Sequence, residues 1–252
     1  MDWQSRLRLS AGIIKRAQSH RGVLAGVASL ESLRSSPSTT EDSTVSWKTG
    51  ATYESTSATP WPASATAVLV LAMGHPRTNP ALDWWDGKGT AGNRDLIAIS
   101  KSLQKWFGDT LQTTAQPLPY HVENGGVFLK DAAVLSGLGV IGKNNLLITP
   151  ELGPRIRLRA LMLELDLAPT GPIDWFTPCE DCPQPCHAAC PVMAFDKERY
   201  SRVRCMEQME ADRATGTPAA DAAGDAPPGD MVKYCRACEI ACPVGTWDAA
   251  PD

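Results

Sequence analysis

The chain has 252 residues, 43% hydrophobic and 21% charged, enough apolar material for one large domain or a domain with a small appendage. Its formal net charge of −4 gives no global attraction to nucleic acid or to an anionic membrane. No stretch approaches the roughly 18 apolar residues of a membrane span. The charged opening "MDWQSRLRLSAGIIKRAQSHR" lacks a signal-peptide pattern, so a cytoplasmic protein with reduced thiols is expected.

In chain order, Leu7, Ile13 and Ile14 mark one side of a first helix, and "GVLAGVASL" reads as a short buried strand. From Ser35 to Pro60 the chain is mostly Ser, Thr, Pro, Gly and charge, the composition of a loop or irregular extended segment. "ATAVLVLAMG" (Ala65 to Gly74) is a continuous apolar run between turn signals and predicts a central strand. After "HPRTNPALDWWDGKGTAGNR", a long Pro- and Gly-rich connection, "DLIAISKSLQKWF" has helical periodicity. "GGVFLKDAAVLSGLG" predicts a helix opened and closed by glycine. "NLLIT" and "RIRLRALML" flank the turn "PELGP" and predict a hairpin, with Arg155, Arg157 and Arg159 on one strand face. That face is either solvated and ion-paired or an anion site. Residues 1–170 thus read as an α/β or α+β core, and residues 171–252 as a second, cysteine-rich domain. "EADRATGTPAADAAGDAPPGD" inside that tail lacks periodicity and reads as an inserted surface loop.

All eight cysteines lie in the tail. The spacing is Cys179-x2-Cys182-x3-Cys186-x3-Cys190-Pro191, then Cys205, then Cys235-x2-Cys238-x3-Cys242-Pro243. Eight thiolates are the number that two [4Fe–4S] clusters need, and paired runs closed by Cys-Pro resemble two-cluster ferredoxins. On that resemblance Cys179, Cys182, Cys186 and Cys242 hold one cluster, while Cys190, Cys205, Cys235 and Cys238 hold the other. Structural zinc is the competing reading, since it also uses Cys-x2-Cys pairs. The first run departs from the ferredoxin spacing by three residues between Cys182 and Cys186. His187 beside them reads as an exposed or capping residue.

With the tail placed, "KDAAVLSGLGVIGKNNLLITPELG" (Lys130 to Gly153) resembles the epoxyqueuosine reductase family. The resemblance covers roughly residues 60–245 and implies a nitroreductase-like cobalamin-binding domain followed by a two-[4Fe–4S] ferredoxin-like domain. It implies an oxidoreductase that passes electrons through the clusters to a corrinoid cobalt. Gly137, Leu138, Gly139, Val140, Ile141, Gly142, Lys143 and Asn144 would then contact the cobalamin. Glu123 falls where the family carries a catalytic aspartate, with Tyr120 a second candidate proton donor and His121 a third. Val140 replaces a family tryptophan, which reshapes one wall of the substrate site. Trp84, Trp85 and Arg94 either cover a pocket or anchor a long loop.

Many members of the family continue into a helical region that helps bind tRNA. The short stretch after Cys242 and the acidic net charge therefore argue for a small-molecule substrate and against tRNA. An external low-potential donor of ferredoxin or flavodoxin type is the expected electron source, and no membrane partner is expected. Two other readings stand beside the reductase: a ferredoxin-like electron-transfer protein, and a corrinoid-reducing protein without an organic substrate. Flavin is a weaker alternative cofactor.

Overall fold

Asp2 starts the first helix, Trp3–Gln18, by accepting a hydrogen bond from the Ser5 amide (2.9 Å). Its inward side carries Ser10, Ile13 and Ala17, all buried. In the computed structural model, residues 1–40, 44–45, 52–53, 62–196, 199–218 and 230–245 are described. They fall into two compact units. The first comprises Met1–Met73, Ile97–Val140 and Leu158–Trp175; the second comprises Gly74–Leu96, Ile141–Arg157 and Phe176–Asp252.

The first unit is built on a four-stranded sheet in the order Val23–Ser29, Ala67–Gly74, Ile156–Leu163, Ala115–Pro117. Every residue of Ala67–Gly74 is buried, as its unbroken apolar run requires of a strand covered on both faces. Val23 lies opposite Met73 and Ser29 opposite Ala67, and Ala115 lies opposite Leu163, so both outer pairs are antiparallel. The architecture is therefore α+β with antiparallel pairing. Helix Leu129–Leu135 ends against this sheet through Thr170, whose hydroxyl donates to the Ser136 carbonyl (2.7 Å) and accepts from the Val27 amide (2.8 Å).

Two expectations are corrected. The predicted hairpin across "PELGP" does not form: Leu147–Ile148 pairs with Val140–Ile141, and Ile156–Leu163 joins the main sheet. The reversal occurs at Gly142–Asn145, where the Gly142 amide donates to the Leu146 carbonyl and Asn145 takes φ 56°. Asparagine tolerates that left-handed conformation, which makes "GKNN" the tighter turn. Likewise, Glu210–Ala214 is not loop but the last turn of helix Arg202–Ala214, which Ser201 caps. Thr217–Pro218 then pairs with Asp230–Met231. The intervening residues 219–229, and most of the predicted 35–60 loop, lie outside the described residues.

Gly137 shows how closely the helix end is packed. It has φ 75°, and a Cβ there would meet the Thr170 carbonyl oxygen at 2.6 Å. Gly137→Ala is expected to cost about 1–3 kcal/mol through backbone strain and this collision, read as a lowered thermal midpoint.

Candidate functional site

The second unit contains all eight cysteines, and all are free. Helix Pro185–Ala188 carries Cys186, helix Arg202–Ala214 carries Cys205 and helix Ala237–Ile240 carries Cys238. Their mutual electrostatics divide them. Burial pushes the Cys186 thiol up, and Cys242 and Cys179 push it further. Cys242 is raised by burial and by Cys179 and Cys182, against the opposing charge of Arg155. Cys238 is pushed up to about 12 by burial, with Cys235, Glu239, Cys205 and Cys190 adding to it. Cys235 is raised by burial and then by Asp212, Cys205 and Cys190. Cys186 and Cys242 thus feel Cys179 and Cys182, whereas Cys235 and Cys238 feel Cys190 and Cys205.

Thiols whose ionisation is suppressed by burial and by one another become anionic ligands only when a cationic centre binds them. A cube in which each thiolate binds its own iron needs a wider set than tetrahedral zinc. Cys190, Cys205, Cys235 and Cys238 together line a cavity of about 140 Å³ that also receives Asn144 and Tyr200. The donor set and the space fit an iron–sulfur cluster.

Several contacts hold the cysteine backbone in place. The Ala194 amide donates to Cys190 Sγ (3.2 Å), and the Cys235 amide donates to the Asp212 carboxylate (2.6 Å). Burial, then a hydrogen bond with Cys205, raises the Tyr200 phenol above its usual range. His187 stacks on Phe195 (4.7 Å between centroids) and its Nε2 lies 3.0 Å from the Lys143 carbonyl. Its ring nitrogen is thereby engaged by backbone.

The three strand arginines do three different things. Arg155, 1% exposed, donates to the carbonyls of Cys242 (3.3 Å), Val244 (3.1 Å) and Gly245 (3.2 Å), clasping the chain around the last cysteine. Arg157 pairs with Asp83 (2.5 Å) and Glu239 (3.4 Å). Arg159, in the first unit, places its guanidinium 4.8 Å from the centre of the Tyr120 ring. Sequence reading missed the network that Arg157 enters. His75 is fully buried with Nδ1 2.7 Å from Asp83 Oδ1, and Arg236 pairs with both Asp83 and Glu239. Its parts lie far apart in the chain, and no local motif announces it.

Trp85 exchanges two backbone hydrogen bonds with Val232 (2.9 and 2.8 Å), and Lys233 sits 4.4 Å over the Trp84 ring. Arg94 pairs with Asp86 (2.7 Å). The tryptophans and Arg94 thus anchor the long connection.

Of the predicted acid residues, Tyr120 is 57% exposed and stands edge-on to His121 at 5.1 Å. Glu123 lies in the short 3-10 turn Val122–Asn124; its side chain lies outside the described residues. Gly126 folds this loop back on itself, its amide donating to the His121 carbonyl (3.2 Å). Lys130 was not foreseen: burial pushes its ammonium below the usual lysine range. Of the predicted cobalamin contacts, Leu138, Gly139 and Asn144 are buried, Gly137, Val140 and Gly142 are half-buried, and Ile141 and Lys143 are exposed. Internal packing accounts for Gly137, and a Cβ at Gly142 would collide with the Ile148 side chain.

No protein-family model matches the chain. Over 81 residues it is 40% identical to tetrachloroethene reductive dehalogenase from Desulfitobacterium hafniense, covering 31% of this chain and 14% of that one. Over 162 residues it is 26% identical to epoxyqueuosine reductase from Alicycliphilus denitrificans, covering 61% of this chain and 42% of that one. The chain thus spans less than half the length of these relatives. In fold it is similar to epoxyqueuosine reductase from Streptococcus thermophilus, with a TM-score of 0.60 and 21% identity over 98% of this chain and 68% of that one. A reductive dehalogenase structure linked to B12-dependent dehalogenation is similar at a TM-score of 0.51, with 17% identity over 77% of this chain and 26% of that one. These proteins define a class of reductases. In sequence and in fold the chain is similar to the epoxyqueuosine reductase-like family. An epoxyqueuosine reductase structure with a tRNA stem loop is also similar in fold (TM-score 0.60, 17% identity, 94% of this chain and 65% of that one). Among the described residues, no helix is long and apolar enough to cross a membrane.

Asp83 gives the network a pH signature. Burial alone would raise its carboxyl, but His75, Arg157 and Arg236 outweigh burial and hold it below the usual range. Such a group stabilises the fold above its unfolded pKa of about 3.9, and that stabilisation is lost as pH falls through the depressed folded value. Asp83→Asn is expected to cost about 3 kcal/mol at neutral pH by leaving Arg157 and Arg236 to share the single carboxylate of Glu239. It should also flatten the acid limb of the stability profile, measured by denaturant unfolding across pH.

Proposed function

We propose that the protein is a reductase that depends on two [4Fe–4S] clusters and on cobalamin. The cavity lined by Cys190, Cys205, Cys235 and Cys238, with four further free cysteines in the same unit, carries this reading. Cys179, Cys182, Cys186 and Cys242 hold one cluster; Cys190, Cys205, Cys235 and Cys238 hold the other. Bound together, the clusters and the corrinoid supply low-potential single electrons and a reducible cobalt. Gly137 to Lys143 offer the corrin backbone amides and the exposed Ile141 and Lys143.

The protein's own residues bind the substrate and manage the proton. Glu123, or failing it Tyr120, delivers a proton to the reduced substrate from the Leu118–Gly126 loop. The Arg159 guanidinium over the Tyr120 ring fixes that ring. Val140, in place of a bulky aromatic, leaves room for a small organic substrate. A tRNA-borne epoxide is the second reading, favoured by the likeness to the epoxyqueuosine reductase solved with a tRNA stem loop. In either case the electrons come from an external low-potential donor of ferredoxin or flavodoxin type, and residues 1–170 and 171–252 form the cofactor and ferredoxin-like domains.

Anaerobic reconstitution tests the assignment. Wild type should take up about eight irons per chain and retain cobalamin on gel filtration. Cys205→Ala should retain about four; eight would overturn the ligand partition, and zinc in place of iron would overturn the reductase. Glu123→Gln should keep iron and the corrin spectrum while losing turnover by at least about a hundredfold. If turnover survives, Tyr120→Phe is the variant that should lose it.

A further inference from the structure

Asn144 sits in the turn Gly142–Asn145 and is 2% exposed. Its side-chain oxygen accepts a hydrogen bond from the Leu146 amide (3.2 Å), which fixes the orientation of the amide group. The other end, Nδ2, is buried and has no hydrogen-bond partner. The turn itself needs only the oxygen, so an aspartate would serve it equally well. Leaving an amide N–H buried and unpaired is costly, and such groups in folded proteins call for an explanation.

The cavity supplies one. Asn144 lines it together with Cys190, Cys205, Cys235 and Cys238. Two other polar side chains at its wall are already engaged: Gln208 Nε2 donates to Asp212 (2.8 Å), and Arg236 pairs with Asp83 and Glu239. We propose that Asn144 donates an Nδ2–H···S hydrogen bond to the iron–sulfur cluster held by these four cysteines and so raises its reduction potential. The inference rests on the iron–sulfur reading above. A donor directed at cluster sulfur favours the more negative, reduced state, and hydrogen bonds to the sulfurs are among the factors that set cluster potentials. Asn144 is then a positioning residue for electrons, acting at the cluster rather than on the corrin side chains.

The test uses the full chain reconstituted without air, with iron analysis and redox titration followed by electron paramagnetic resonance. Asn144→Leu should keep about eight irons and shift one cluster's reduction equilibrium toward the oxidised state about tenfold, about 59 mV for one electron. The shifted signal should be the one missing from Cys205→Ala, and the other cluster should not move. Unchanged potentials with full iron would overturn the proposal. Asn144→Asp keeps the acceptor for Leu146 and removes the donor. Because a carboxylate also adds charge, its readout is electron–nuclear double resonance after exchange into deuterated water. One exchangeable proton coupled to the cluster in wild type should be absent in Asn144→Asp; its persistence would overturn the proposal even if Asn144→Leu fails to assemble. If wild type takes up no iron, the parent reading fails first, and metal content distinguishes that case.

Discussion

Everything in the second unit depends on bringing Cys242 back to the run that begins at Cys179. Burial and neighbouring thiols raise Cys186 and Cys242, so no ionic attraction draws these sulfurs together. Protein contacts must therefore hold them in place. Arg155 does much of this by clasping three carbonyls from Cys242 to Gly245 while almost wholly buried. Its fixed charge also opposes the rise of the Cys242 thiol, so one side chain serves both geometry and ionisation.

A second brace works at the other group. Asp83 accepts from His75 and pairs with Arg157 and Arg236, and Arg236 lies next to Cys235. Low exposure makes such pairs strongly interdependent, since removing one partner leaves a buried charge unmatched. The network therefore contributes specificity of placement more than net stability. The Trp85–Val232 bridge adds backbone hydrogen bonds from the same connection to the residues ahead of Cys235.

The concentration of cysteines in one unit was legible because their spacing pattern is local in the chain. The buried strand Ala67–Gly74 and the first helix were legible because their apolar periodicity is local too. The hairpin at "PELGP" was misread because its turn closes only through Thr149 and Gly153, while the following strand Ile156–Leu163 pairs within the main sheet. The separate tasks of Arg155, Arg157 and Arg159 follow from partners about 40 to 90 residues away, such as Tyr120, Asp83 and Cys242. Nothing local to "RIRLRA" could have told them apart. Asn144 was noticed for its motif, but its unpaired nitrogen and its cavity are visible only in three dimensions.

Because the second unit is stitched from three stretches of chain, the order of synthesis matters. Asp83 and Arg155 emerge from the ribosome long before Arg236 and the carbonyls of Cys242 to Gly245 that complete them. Neither thiol group is whole until Cys238 and Cys242 have been translated. A metal centre on these thiols can therefore be completed only after Cys242 has been translated, and the sulfurs must until then be shielded from oxidants.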